Sequence, residues 1–396
     1  MRRWIGPGIL VAVGYMDPGN WATGIESGSR FGYALAWVIL LSSAAAILLQ
    51  IAAARLGIFS HQDLVGLGYS LLGRRVGTFL ALTALVAIMA TDLAEVLGFA
   101  LALHLLFKLP LEVGAVLALI ETIIVLYWTA HRPQLLEHIV GALTLGILGI
   151  FIYELVLLKP PLESVLRGFV PSPLIFQDRE ALYLALGLIG ATIMPHNLYL
   201  HSAWVKGRFY GSLSQQAQTT ARDTAWSLSL AFFVNIALLL TAAALSAVHG
   251  AGTAWGIEDA YRLFEPTVGK LAGIAFAVAL LFAGHNATLT STLTGQLVLE
   301  YLLPQRLSSF WRGLLVRSLS LVPALLALTF WGKAHISEML VLSQVLLSLQ
   351  LPFVLAPMLY FFHHIRSAAF GQVGQLLVWA ISLIVIGLNI FLLWTG

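Results

Sequence analysis

The chain has 396 residues, 59% hydrophobic and only 10% charged, with a mean hydropathy of +0.91 and a formal charge of +3. Ordinary soluble domains carry about 25% charged residues, so the composition excludes a soluble enzyme and points to an all-α integral membrane protein. The lack of cysteine excludes disulfides, thiolate metal sites and cysteine nucleophiles, and nothing in the charge suggests nucleic-acid binding.

The first apolar stretch, 3–29, follows Arg2 and Arg3 but contains Asp17 and Pro18 and runs into Glu26 without a small-residue cleavage site. It is therefore expected to be a retained membrane segment rather than a signal peptide. Asp17-Pro18-Gly19-Asn20 interrupts it. A carboxylate at the bilayer centre costs at least ~2.5 kcal/mol, and a proline leaves a carbonyl without its helical donor. Continuous apolar runs follow at 33–54, 76–106, 111–128 and 135–158. A second interrupted span, 181–205, is broken at Met194-Pro195-His196-Asn197, and runs at 226–248, 271–299, 314–331, 339–362 and 374–394 complete the chain. Each meets or approaches the ~20 residues that a spanning helix needs, giving about eleven spans. The runs lack the alternation of a membrane barrel. The polar connections at 159–179, 206–222 and 250–270 read as loops.

The two breaks lie 177 positions apart with five spans from one to the next. An odd number of spans per copy inverts the second copy, which predicts two inverted five-helix repeats (1–158 and 180–365) plus an eleventh helix (372–396) in one transporter domain. Lysines and arginines set the orientation. Arg2, Arg3, Arg55, Arg74, Arg75, Arg132, Lys206, Arg208, Arg222, Arg306, Arg312, Arg317 and Arg366 fall on one side. The other side mixes fewer bases with acids such as Glu163, Asp178, Glu180, Glu258 and Asp259. The bias places the amino terminus in the cytoplasm and the carboxyl terminus outside.

Pro18 and Pro195 each withhold a donor from the carbonyl four residues earlier, which are those of Gly14 and Ala191. In hydrocarbon such a carbonyl is tolerated where it lines a cavity or meets a ligand. With Asp17, Asn20 and the Met194 thioether, these oxygens make a donor set suited to a divalent transition metal. Calcium and magnesium take all-oxygen shells, so the sulfur favours manganous, ferrous or cadmium ions. Asp92 and Glu95, three apart in an apolar run, share a helix face. Buried acids mark either a proton relay or an ion pair, and Asp92 with Arg317 as a structural lock is the alternative. His196, two residues past Met194, has the ordinary proton affinity of a shuttle. An organic substrate carried with sodium on the same fold is a rival reading. An intramembrane metalloenzyme is another, disfavoured because no His-Glu-x-x-His occurs.

Asp17-Pro18-Gly19-Asn20 and Met194-Pro195-His196 resemble the paired signature motifs of the NRAMP family of proton-coupled divalent metal transporters. The fragments 26–37, 90–95, 190–202 and 343–345 resemble it too, so the likeness covers essentially the whole chain. The resemblance implies a LeuT-like fold and import of manganese or iron into the cytoplasm with protons, through the bacterial inner membrane. It implies no enzymatic activity, no prosthetic group and no obligatory protein partner. It further implies that Asp17, Asn20, Met194 and the Ala191 carbonyl bind the metal, with Gly14 and Gln344 joining in some conformations. Protons would pass from Asp17 by His196 to Glu95 and Asp92, then towards Arg208 and Arg317. Gln50, Asn235 and Thr192 match gate or pore-lining positions, although lone amides also serve as interhelical hydrogen bonds. His201 is expected to make a local helix contact or gate rather than bind metal. The chain departs from the family at Ala283-Gly284-His285-Asn286, where many relatives carry Ser-Gly-Gln, and at Arg317, which stands beside Val316 rather than a second arginine. His285 is either a titratable group or a packed side chain, and Glu121 and Glu154 carry no assigned role.

Overall fold

The computed structural model describes residues 7–131, 133–206, 211–249, 255–303, 307–332, 335–365 and 372–395. Arg208 of the expected proton route lies outside the described residues, as do positions 3–6 of the first broken span and Arg2, Arg3, Arg132, Arg306 and Arg366 of the orientation argument.

Every described element is a helix. The first half comprises α1 (Pro7–Gly14), α2 (Pro18–Phe31), α3 (Ala36–Ser60), α4 (Leu64–Phe107), α5 (Leu111–His131) and α6 (Pro133–Leu158). The short α7 (Leu162–Gly168) and α8 (Leu174–Gln177) lead to α9 (Arg179–Ile193), α10 (Pro195–Trp204) and α11 (Leu213–His249). The chain closes with α12 (Ile257–Val268), α13 (Lys270–Leu302), α14 (Ser309–Phe330), α15 (Ile336–His364) and α16 (Gln372–Thr395). Among the described residues nine spans, counting α9 with α10 as one, are long and apolar enough to cross a membrane. The broken pair α1 and α2 and the 21-residue α5 bring the number to the eleven expected.

Burial separates the centre from the rim. In the broken span 179–204, 94% of the most apolar window is buried, against 22% in 141–158 and in 373–394. The rim exposes Val86, Val116, Ile120, Leu145, Val156, Leu383 and Ile390. A continuous apolar belt of this kind is solvated by lipid. Contacts pair up between the halves: α2 packs on α11 as α10 packs on α3, α1 on α11 as α9 on α3, α4 on α5 as α13 on α14, and α4 meets α13. The broken helices are thus enclosed by α3, α4, α11, α13 and α15, and any group at the breaks is out of reach of lipid.

Three segments expected as loops contain helix. Residues 159–179 hold α7 and α8, 213–222 are the start of α11, and 257–268 form α12. Long apolar runs do not mark them, because α7, α8 and α12 are short and 213–222 is the polar start of a long helix. In α12, Ile257, Ala260 and Phe264 face inward at helical spacing, while Arg262 reaches back to Glu258 at 2.5 Å. The fourth helix also starts earlier than its apolar run. It bends at Gly73, whose φ of 81° breaks the helical path, and begins behind the Asp63 cap on the Gly66 N–H at 2.9 Å.

Candidate functional site

Local chemistry explains each break. Asp17 is extended (φ −66°, ψ 163°) and caps α2 by accepting the Asn20 N–H at 2.7 Å, with Pro18 at the first helical position. Asp followed by Pro is a helix start, so the sequence ends α1 and begins α2 in mid-span. At the second break Met194 closes α9 with φ 43° and ψ 92°, its N–H bonded to the Gly190 carbonyl at 3.1 Å, and Pro195 starts α10. Glycine ordinarily takes such a position. A methionine there stores about 1–3 kcal/mol of backbone strain, a cost that clusters at functional sites.

The breaks are joined. The Tyr15 hydroxyl donates to the Ile193 carbonyl at 3.2 Å, and the Gln50 amide donates to the same hydroxyl at 2.7 Å. Asn197 donates to the Met194 sulfur at 3.3 Å, and Gly14 is free of a side chain where Asn197 approaches it. Gly19 of the first motif has the same use, since a Cβ there would overlap the Gln344 amide. Gln344 consequently reaches Asp17, its Nε2 at 3.5 Å from Oδ2. Gly98 on α4 lets the Pro18 ring lie against that helix.

Asp17, Met194 and Gln344 are wholly buried, and Ala191, Thr192 and Asn20 are nearly so. The amide of Asn20 donates to the Tyr15 carbonyl at 2.7 Å, which fixes its orientation and leaves Oδ1 without a partner. Gln344 Oε1 is also unpartnered. A buried acceptor left unmade costs about 1–3 kcal/mol, so the surroundings of Asp17 are short of donors, which is the requirement for a cation. Among the described residues no three His, Asp or Glu side chains converge on a possible metal position. The oxygen and sulfur groups present at the two breaks are one carboxylate, amide oxygens, carbonyls and a thioether.

The two prolines leave their carbonyls in different states. Pro195 has no N–H for Ala191, but the Gly14 carbonyl accepts the Asp17 N–H at 3.3 Å in a tightened turn. The carbonyl that draws side chains at the first break is that of Tyr15, held by Asn20 and by Asn235 at 2.9 Å. Asn235 thereby ties α11 to the break, and Thr192 turns back on its own helix to the Leu188 carbonyl at 2.5 Å. The Gln50 amide oxygen also accepts from His201 Nδ1 at 3.0 Å, so His201 makes an interhelical contact.

A second buried cluster lies on the α4 side. His196 Nδ1 is 3.2 Å from the Thr91 hydroxyl, while its Nε2 has no partner. One turn along α4, Glu95 takes hydrogen bonds from Ser291 at 2.8 Å and from Arg317 at 2.9 Å. Arg317 also donates to Asp92 at 3.2 Å and to Thr288 at 3.1 Å, and Ser320 donates to Asp92 at 3.1 Å. The shared face of Asp92 and Glu95 is thus closed by one guanidinium. Asn197 and Thr91 enter the sequence reading only within the motif fragments 194–197 and 90–95, and Tyr15, Thr288, Ser291 and Ser320 are not singled out there. Their only signal was polarity within apolar spans, with Thr288 and Ser291 three apart on α13.

Towards the α12 end, Glu26, Arg30, His104, Trp255, Glu258, Asp259, Arg262 and Glu338 line a cavity of about 510 Å³. Arg30 bridges Glu26, at 3.1 Å, and Glu180, tying α2 to α9. At the opposite end Asp223 of α11 accepts the Gly8 N–H of α1 at 2.6 Å, and Asp63 binds Lys206 and Tyr301, each at 3.0 Å.

A family model described as natural resistance-associated macrophage protein-like matches residues 8–395. The divalent metal cation transporter MntH of Xylella fastidiosa is 44% identical, the match covering 99% of this chain and 85% of that protein. A crystal structure of the Eremococcus coleocola manganese transporter, in complex with an aromatic bis-isothiourea substituted compound, is 31% identical with a TM-score of 0.79 over 98% of this chain and 93% of that one. At 16% identity and a TM-score of 0.62, the nucleobase-cation-symport-1 transporter Mhp1 shares the LeuT-like fold over 92% of this chain and 80% of its own.

Proposed function

Because the chain belongs to the natural resistance-associated macrophage protein-like family, we propose that it imports divalent transition-metal ions, manganous and ferrous and also cadmium-like, into the cytoplasm together with protons. The observation that carries this reading is the Asn20 amide. Its nitrogen is committed to the Tyr15 carbonyl, which leaves a bare, buried oxygen on the residue whose own N–H the Asp17 carboxylate caps. Donor-poor oxygens around one carboxylate suit a cation and repel an organic acid. Asp17, Asn20, Met194 and the Ala191 carbonyl are the proposed ligands, with Gly14 and Gln344 joining as the breaks shift. One carboxylate with neutral partners gives binding weak enough to release, as carriage requires.

In this reading the acid-lined cavity gathers cations from outside, and the Arg30 bridge between α2 and α9 must part to admit them. The Gly8–Asp223 and Asp63–Lys206 contacts hold the inner side shut and part for release, as alternating access requires. Asp17 is the point where metal and proton compete. A proton displaced from it is received at His196, whose contact with Thr91 leads one turn along α4 to Glu95, then to Asp92 and Arg317 and, in the family pattern, to Arg208. Gln50, Asn235 and Thr192 border the path as gate residues. The two halves, 1–158 and 180–365, are read as inverted repeats, supported by the matched helix pairings, with 372–396 added outside them. The lysine and arginine bias supports a bacterial inner-membrane protein with its amino terminus in the cytoplasm and its carboxyl terminus outside.

Metal uptake into proteoliposomes under an inward proton gradient tests the reading. The parent chain should accumulate manganese, and dissipating the gradient should reduce the rate. Met194→Ala should keep manganese uptake while admitting calcium, which the soft sulfur disfavours. Calcium exclusion as strict as the parent's would remove the sulfur as the selectivity element.

A further inference from the structure

The Asp92–Glu95–Arg317 cluster has an annex on two helices that the proposed proton route does not use. Glu121 of α5 places Oε1 at 2.7 Å from His285 Nδ1 of α13 and Oε2 at 3.9 Å from Arg317 Nη2. The Glu121 side chain is only 9% exposed and neither of its oxygens receives a well-aligned hydrogen bond. His285 stands at the edge of the network, 23% exposed between α5 and α13.

Charge counting decides what such an arrangement must hold. The titratable and charged groups facing Glu121 are Asp92 and Glu95 from α4, His285 from α13 and Arg317 from α14. With three ionised carboxylates and a neutral imidazole, Arg317 alone would leave two uncompensated negative charges in a site with almost no exposure. Desolvation makes that form prohibitive. Two protons neutralise the group. One belongs with the Asp92 and Glu95 pair, where Glu95 Oε1 lacks a donor. The other falls to the Glu121 and His285 pair, and whichever of the two holds it the charge of the pair is the same.

We propose that Glu121 and His285 form a second proton-holding station of the transporter, coupled through Arg317 to the Asp92–Glu95 station. This rests on the proton-coupled reading of the chain. Loss of a proton at one station strengthens the hold of Arg317 there and weakens it at the other, so the two stations are linked through that guanidinium. Glu121 and His285 are thus positioning and proton-storing groups for transport, away from the metal ligands.

The test uses the full chain in proteoliposomes, reading manganese influx and internal acidification together across a series of external pH values. Glu121→Gln and His285→Gln should each move the half-maximal proton influx about one unit towards acid, because each removes one of the two proton acceptors. The protons carried per metal at neutral pH should fall about twofold, since one of two stations is lost. Manganese affinity, set at the other cluster, should hold. Glu121→Asp, which retains the charge, should restore the parent's profile at least in part and serves if a glutamine variant fails to insert. Parent-like profiles in both glutamine variants overturn the proposal, as does a uniform loss at every pH without a shift, the mark of a merely structural pair. If the parent itself carries manganese without protons, the proton-coupled reading falls first and takes this station with it.

Discussion

Asp17→Ala is expected to reduce manganese uptake by more than about 100-fold. Removing a partner that only orients a metal ligand costs about 10–100-fold in affinity, and Asp17 is the proposed charged ligand itself. No second carboxylate stands in reserve, since among the described residues no cluster of acids or histidines surrounds the break. Alanine also removes the cap on the Asn20 N–H, which costs about 1 kcal/mol on its own. Asp17→Asn separates the effects, because an amide oxygen still caps α2 while the charge is gone. Both variants should lose metal binding by calorimetry, and Asp17→Asn should keep the parent's thermal midpoint more closely. Parent-like uptake by Asp17→Asn would sink the proposed site.

The breaks were legible because their causes are local. Aspartate before proline starts a helix whatever surrounds it, and in a membrane span that start exposes backbone, so the location of the site followed from a few adjacent residues. Asp92 and Glu95 were legible for a similar reason, being apolar-span acids one turn apart. What closes the site depends on contacts between distant segments and left little trace. Tyr15 bonds to Ile193 and Gln50, Asn235 to the Tyr15 carbonyl, and Asn197 to the Met194 sulfur. Nothing in the neighbours of Tyr15 specifies these partners. The Gly14 carbonyl shows the limit of a local rule. Pro18 does withhold its donor, yet the turn tightens and Asp17 supplies another. The motif glycine is clearer in hindsight, since Gly19 is small so that Gln344 can lie beside Asp17. Glu121 and His285 were visible as polar interruptions, but only the packing of α5 on α13 makes them a pair.

Arg317→Leu is expected to be the most destabilising single change in the cluster, costing about 3–5 kcal/mol, the range for stripping one partner from a buried ion pair. Solvent does not moderate the effect, because Arg317 is 1% exposed and its partners Asp92 and Glu95 are wholly buried. Leucine fills part of the volume but leaves Asp92, Glu95 and Glu121 without a cation. The variant should melt well below the parent in detergent, and acid conditions should narrow the gap, because protonated carboxyls need no counter-charge. Stability and transport should then separate in a double variant. Glu95→Gln in the Arg317→Leu background removes one of the buried carboxylates left without a cation and should recover part of the lost thermal midpoint, since replacing both partners of a buried pair is far milder than breaking it. It should not recover metal-linked proton influx, because the carboxyl that takes the proton on from His196 is gone. Recovery of both together would make the cluster a structural lock, the alternative that the sequence left open for Asp92 and Arg317. Recovery of stability alone assigns these residues to the movement of protons.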